Sequence, residues 1–187
     1  MRPHQNIVLQ ASPLRVHSIS RFGECSKKGA LWLYLADVID PQNIGSLIRS
    51  AMYFGIAGVI LSRGCAALTP IVSKASAGAL ELAAEGKLWR SSLGSATFLR
   101  DARTSGTRII GTCVPVPSKN PMESDPPFNA TEILVIGSEG FGLSETIKNE
   151  CTNFMTIPKA KDSPPWLDSL NASVAGSVLL WQLTRSK

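Results

Sequence analysis

Short apolar runs alternate along the chain with segments whose apolar positions recur at helical spacing, beginning near Ala30. The runs at 30–38 (ALWLYLADV), 58–62 (GVILS), 87–91 (KLWRS), 107–114 (TRIIGTCV), 132–138 (EILVIGS) and 154–158 (FMTIP) predict strands. The intervening segments predict helices over 43–55, 69–82, 94–105, 143–150 and 171–185. Alternation of this kind argues for an α/β fold, and strands so uniformly apolar suit a parallel sheet with helices on both faces. The 43–55 helix has the clearest boundaries. Asp40 or Asn43 can act as N-cap, Pro41 fits the first turn, and Gly55 stands where a C′ glycine belongs. Ile44, Leu47, Ile48, Ala51 and Met52 form its buried stripe, which leaves Arg49 free to face a cleft or solvent. Residues 1–28 lack a period and read as an arm, so the ordered domain is expected over 29–187. The segment 115–131 holds five prolines and reads as an irregular loop.

Composition adds limits. With 187 residues and 44% hydrophobic content the chain can bury one domain core. No apolar stretch reaches the ~18 residues of a membrane span, and the first residues lack the features of a secretory signal. Cys25, Cys65, Cys113 and Cys151 are widely spaced without a C-x-x-C pair, which predicts free thiols in a reducing compartment rather than a zinc site or a disulfide framework. Outside a secretory route the sequons at Asn129 and Asn171 carry no meaning. A net charge of +5 makes RNA or DNA a plausible partner. Because the basic residues are scattered, solvated surface charge explains the same number.

The stretch IGSEGFGLSE at 136–145 carries the sharpest chemistry, a carboxylate inside a glycine turn that follows a buried strand. Its G-x-x-G-x-G order differs from the dinucleotide fingerprint, and a pyrophosphate there would face Glu139 at close range. A nucleophile elbow requires glycine two residues before Ser138, where Ile136 stands, and His4 and His17 lie far away in the arm. No His, Cys or carboxylate cluster has the spacing of metal ligands. Two accounts of Glu139 stay open. It faces a cationic, hydrogen-donating ligand such as S-adenosylmethionine, or it is a turn residue or the partner of a buried arginine. Near the C-terminus, Ser169 and Asn171 are good N-caps for the last helix, and a polar helix start after Pro164, Pro165 and Trp166 forms a rim able to meet a substrate. Ala172, Ala175, Gly176 and Ser177 allow that helix to pack closely on a neighbour.

Three segments in order, NIGSLIR (43–49), LVIGSEGFGLS (134–144) and IPKAKDSPPWLDSLNASVA (157–175), resemble motifs one to three of the SpoU (TrmH-type) RNA ribose 2′-O-methyltransferases of the SPOUT class. The arm resembles the segment that precedes the catalytic domain in several members. The resemblance covers about residues 30 to 185. It implies a parallel sheet with a C-terminal trefoil knot, a homodimer, S-adenosylmethionine as cofactor and RNA as substrate, with no metal and no membrane. It places Asn43, Arg49, Glu139, Ser169 and Asn171 in the catalytic site. It places Thr112, Gly137, Ser138, Glu139, Gly140, Ile157, Leu170, Asn171 and Ser173 around the cofactor. Within the family the likeness is to enzymes that modify a guanosine of mitochondrial large-subunit rRNA, implying a mitochondrial matrix location. A tRNA or another rRNA as substrate, or an inactive RNA-binding assembly module on the same fold, stays open at this point.

Overall fold

The structure, a computed structural model, describes residues 12–25, 27–113, 130–164 and 166–185. Most of the expected proline-rich loop and the first residues of the arm lie outside them. Seven parallel strands form one sheet in the order β1-β4-β3-β2-β6-β5-β7. They are β1 (His17–Ile19), β2 (Leu31–Leu35), β3 (Gly58–Leu61), β4 (Leu88–Ser91), β5 (Arg108–Thr112), β6 (Glu132–Ile136) and β7 (Asn153–Met155). The helices are α1 (Pro41–Tyr53), α2 (Pro70–Ser76), α3 (Ala79–Ala84), α4 (Ser95–Thr104), α5 (Glu145–Lys148) and α6 (Ala172–Arg185).

The central strand β2 is buried along its whole length and feeds two cores by alternation. Leu31, Leu33 and Leu35 pack with Ile44, Leu47 and Ile48 of α1, Val72 of α2, Leu80 of α3 and Leu179, Leu180 and Leu183 of α6. Trp32 and Tyr34 face the other side, against Phe98 and Leu99 of α4 and Ile147 of α5. Helices therefore cover both faces, as the uniformly apolar strands require. The second face is aromatic: the Phe22 and Trp32 ring centroids lie 5.4 Å apart edge to face, and Tyr34 stacks on Phe98 at 5.5 Å.

The structure corrects two expectations. Part of the arm belongs to the domain, because His17–Ile19 pairs in parallel with Trp89–Ser91 at the sheet edge and Phe22 is buried between Trp32 and Phe98. The ordered domain thus begins well before Gly29. The single helix expected over 69–82 is two, since Ala77 and Gly78 adopt left-handed φ of 50° and 90° and end α2 before α3 begins. By contrast, α1 follows its signals: Asp40 accepts from the Gln42 amide at 2.8 Å, Pro41 opens the helix, and Gly55 follows its end with φ of 67°.

All strands being parallel, their C-terminal ends share one edge. The chain order reverses between β2 and β6, which makes that edge a topological switch point of the kind where open α/β sheets bind ligands. α1 and α6 close it from one face. Their approach is tight: a Cβ on Gly176 would meet Leu47 Cδ2 at 2.4 Å, and the Ser50 and Ser177 hydroxyls lie 2.7 Å apart. The small residues of the last helix serve the close packing their sequence predicts. All four cysteines are free thiols.

Candidate active site

β6 runs out at Ile136 into a turn over 137–142. Ser138 N donates to Gly142 O at 3.1 Å and Gly142 N donates back to Ser138 O at 2.9 Å, so the turn is clamped across its base. Two glycines are required for this. A Cβ on Gly137 would lie 2.3 Å from the Gly142 carbonyl carbon, and Gly142 itself has φ of 65°. Glu139 is held at one side of the turn. Its carboxylate accepts from Asn43 Nδ2 at 3.0 Å, from Asp40 N at 3.2 Å and from Ile39 N at 3.4 Å. The carboxylate thus sits at the positive end of α1 and ties the β2–α1 connection to the β6 turn. Partial burial alone would push its carboxyl up, but the bonds from Asn43 Nδ2 and from the amides of Glu139, Asp40 and Ile39 outweigh that and hold it below 4.5. Among the described residues, the partners of Glu139 are neutral amides and no arginine.

A cavity of about 650 Å³ opens beside this turn. Its walls are the end of β5 at Thr112 and Cys113, the turn from Gly137 to Leu143, the tail of β7 from Met155 to Ala160, the loop from Leu167 to Leu170, and Ala172, Ala175 and Leu179 of α6. Of the residues singled out in the sequence, Thr112, Gly137, Ser138, Glu139, Gly140, Ile157, Ser169 and Leu170 line it. Asn43 reaches it through Glu139. Asn171 and Ser173 stand at the start of α6, where Asn171 Oδ1 accepts from Ser173 N at 2.8 Å and Ser173 Oγ at 2.7 Å. These two residues cap the helix whose side forms a wall, and they are not among the lining residues. Arg49 is exposed on α1 and lies outside the cavity lining. Ser169 Oγ is engaged by Asp168 at 3.0 Å.

Two features of the cavity ask for a ligand. Thr156 Oγ1 lines it, is buried and has no hydrogen-bond partner. A Cβ added to Gly140 would meet nothing within 4 Å, so this glycine leaves open space beside the turn, and its φ is not left-handed. The remaining surface mixes apolar side chains (Ile136, Leu143, Met155, Ile157, Leu179) with backbone groups of the turn and the two carboxylates Glu139 and Asp168. Such a lining suits S-adenosylmethionine: apolar walls for an adenine and a thioether-like chain, carbonyls and hydroxyls for its donors, and carboxylates for its positive charges. Thr156 and Asp168 were missed in the sequence. Thr156 directly follows the last residue of β7, and only its lack of a partner in three dimensions marks it out. Among the described residues, no group of three or more His, Cys, Asp or Glu side chains could hold a metal, and no helix is long and apolar enough to cross a membrane.

Comparison with known proteins places this geometry. Residues 30–181 match the model of the SpoU rRNA Methylase family. The chain is similar to the human protein named rRNA methyltransferase 1, mitochondrial, at 36% identity over 95% of this chain and 52% of that protein. The Schizosaccharomyces pombe protein of the same name is 34% identical over 97% of this chain and 69% of its own length. The chain therefore spans about half the length of the human relative. Among solved structures, the SpoU methyltransferase AviRb from Streptomyces viridochromogenes, in complex with the cofactor AdoMet, superposes with a TM-score of 0.66 at 27% identity, over 86% of this chain and 59% of that one. A TrmH-family protein from Porphyromonas gingivalis gives 0.70 at 31% identity, over 86% of this chain and 61% of that one. With its α/β parallel sheet, its glycine turn and this match, the chain belongs to the SpoU rRNA methylase family.

Proposed function

We propose that this chain is the catalytic domain of an S-adenosylmethionine-dependent RNA ribose 2′-O-methyltransferase that modifies a guanosine of mitochondrial large-subunit rRNA and works as a homodimer in the mitochondrial matrix. The observation that carries the reading is the cavity at the C-terminal edge of β5, β6 and β7, with the orphaned Thr156 hydroxyl and the open space at Gly140. The names of the human and yeast relatives support the substrate and the compartment. The C-terminal trefoil knot belongs to the same proposal, supported by a cavity to which the β6 turn, the β7 tail and α6 all contribute.

When bound, S-adenosylmethionine supplies an electrophilic methyl group. The chain's own residues bind and orient. Thr112, Gly137, Ser138, Gly140, Ile157 and Leu170 line the cavity and would hold the cofactor, and Asn171 and Ser173 fix the start of α6 so that Ser169 and Leu170 keep their place. Glu139 holds Asn43 and the α1 N-terminus in one position relative to the turn, which serves orientation rather than proton removal. A guanidinium is a cation with N–H donors and no acceptor, so Arg49 is given no role as a base. In this reading it binds the RNA phosphate next to the target ribose and stabilises the developing alkoxide. In the proposed dimer Arg49, which lies outside its own chain's cavity, would serve the cavity of the other protomer. The exposed apolar residues Val174, Val178 and Trp181 along α6, at 49%, 39% and 48% exposure, supply a face for that dimer.

Calorimetric titration of S-adenosylmethionine, with light scattering for the dimer, tests the site. Binding near one cofactor per chain, weakened in Glu139→Ala and Asn171→Ala, is expected. A folded dimer that binds none would favour an assembly module. Mass spectrometry of nucleosides from RNA treated with the enzyme then checks the product: 2′-O-methylguanosine is expected, and methyl on a base or on another ribose would overturn the finer assignment.

A further inference from the structure

Phe141 is the most exposed large apolar side chain of the described residues, at 97%, and it stands at the tip of the clamped 137–142 turn. Its backbone is rigid on both sides. The Ser138 and Gly142 amides and carbonyls pair across the base, Glu139 ties the turn to the N-terminal region of α1, and Leu143, at 3% exposure, anchors the chain in the core. A phenyl ring is thus presented to solvent on a fixed platform, at a position where the fold makes no use of it. The same ring lines the rim of the cavity, together with Gly140, Lys148 and Lys159. Across the cavity, the loop that contributes Leu167 to Leu170 also carries Trp166, at 81% exposure.

A single ring is too small to be the core of a protein interface, which needs roughly 1,000 Å² in total. It matches one nucleobase, and stacking is the way proteins hold unpaired bases regardless of their identity. Position favours the same occupant. A ribose that presents its 2′-hydroxyl to the cavity carries its base, and its neighbour's base, to the cavity rim. Two lysines line the same cavity, Lys148 paired with Glu145 at 2.7 Å and Lys159 donating to the Pro164 carbonyl at 2.7 Å, and each would exchange its partner for an accompanying phosphate. We infer that Phe141 is a base-stacking residue that holds the target nucleotide, or its immediate neighbour, unstacked at the mouth of the cavity, so that the enzyme selects single-stranded or looped RNA. This inference rests on the reading of RNA as the substrate.

The test uses the full chain with a single-stranded oligoribonucleotide carrying 2-aminopurine, whose fluorescence falls when it stacks on an aromatic ring. Wild type, Phe141→Ala, Phe141→Tyr and, as a control for loss of exposed apolar surface elsewhere, Leu82→Ala (63% exposed) are compared. Wild type, Phe141→Tyr and Leu82→Ala are expected to quench, and Phe141→Ala to lose quenching and about tenfold in affinity, as base stacking predicts. Phe141→Ala that quenches like wild type overturns the inference, and so does absence of quenching by wild type. S-adenosylmethionine titration of the same preparations separates two other failures. Joint loss of cofactor and oligonucleotide binding in Phe141→Ala would assign the ring to the cofactor pocket and overturn the stacking role. A wild type that quenches but binds no cofactor would instead sink the methyltransferase reading.

Discussion

The two ends of β6 each carry a glutamate, and they are built in opposite ways. At the N-terminal end, Glu132 is 2% exposed and pairs with Arg108 Nη1 at 2.9 Å, while Arg108 Nε donates to Asn153 Oδ1 at 2.9 Å. This buried pair bolts β5, β6 and β7 together. Past the C-terminal end, Glu139 is exposed and, among the described residues, accepts from neutral amides. The first carboxylate has its charge cancelled inside the protein. The second keeps a net negative charge at the mouth of a cavity, held in place but not neutralised. One strand thus separates a structural end from a functional end, and the distinction lies in the partner's charge rather than in the residue type.

The sharpest way to break this comparison is at the structural end. Arg108→Ala would take the guanidinium away from the buried Glu132 carboxylate, a change that typically costs about 3–5 kcal/mol. Urea unfolding should show a loss of that size. Arg108→Met combined with Glu132→Gln should recover much of it, because no uncompensated charge remains. If the single variant loses less than about 1 kcal/mol, the pair does not organise the three strands.

Second comes Gly137→Ala. Its new Cβ would meet backbone atoms of Gly142 and Leu143, which cannot swing aside as a side chain end can. A loss of about 1–3 kcal/mol is expected in thermal or urea unfolding, together with weakened cofactor binding, since the turn walls the cavity. Intact cofactor binding in a destabilised variant would detach the turn from the site.

How far were these two ends visible before the fold was known? The strands and α1 were legible because their signals are local: uniform apolar runs, a capping Asp40, a proline in the first turn, Gly55 after the last. The edge strand at His17–Ile19 was not, since three residues carry little pattern and the partner, Trp89–Ser91, is far along the chain. Phe22 reads as buried only once Trp32 and Phe98 stand beside it. The break at Ala77 and Gly78 had a visible glycine, yet apolar spacing ran across it. In the site, the glycine turn and its odd carboxylate were conspicuous in sequence, but two of the donors that hold Glu139 are backbone amides on another loop, which no side-chain pattern encodes. The Thr156 orphan could be recognised only by finding no partner for it in three dimensions.

A smaller effect is expected at Glu139. Glu139→Ala removes the acceptor for three donors, but these are exposed enough that water replaces much of it, so a loss of only about 1 kcal/mol is expected. Its pH dependence has a definite sign. The folded carboxyl is held below 4.5, so its contribution is fully present above that value and is lost as the pH falls through the lowered folded value. Wild type and Glu139→Ala should therefore differ in unfolding free energy at pH 7 and converge in acid. A difference that stays constant down to acid would mean that the ionised form is not what the amides hold.

The smallest effect on stability is expected at Gly140, and it is the most informative for the site. Ala at 140 meets open space, and the backbone φ there is not left-handed, so unfolding should change by less than about 0.5 kcal/mol. If that space belongs to the cofactor, the added methyl stands where a ligand atom must go, and S-adenosylmethionine should bind on the order of tenfold more weakly, a difference of about 1.4 kcal/mol. Gly137→Ala and Gly140→Ala then form a pair three residues apart. The first damages stability and binding together, and the second damages binding alone. Unchanged cofactor affinity in Gly140→Ala would move the ligand off this part of the turn and leave the orphaned Thr156 hydroxyl as the group to probe next.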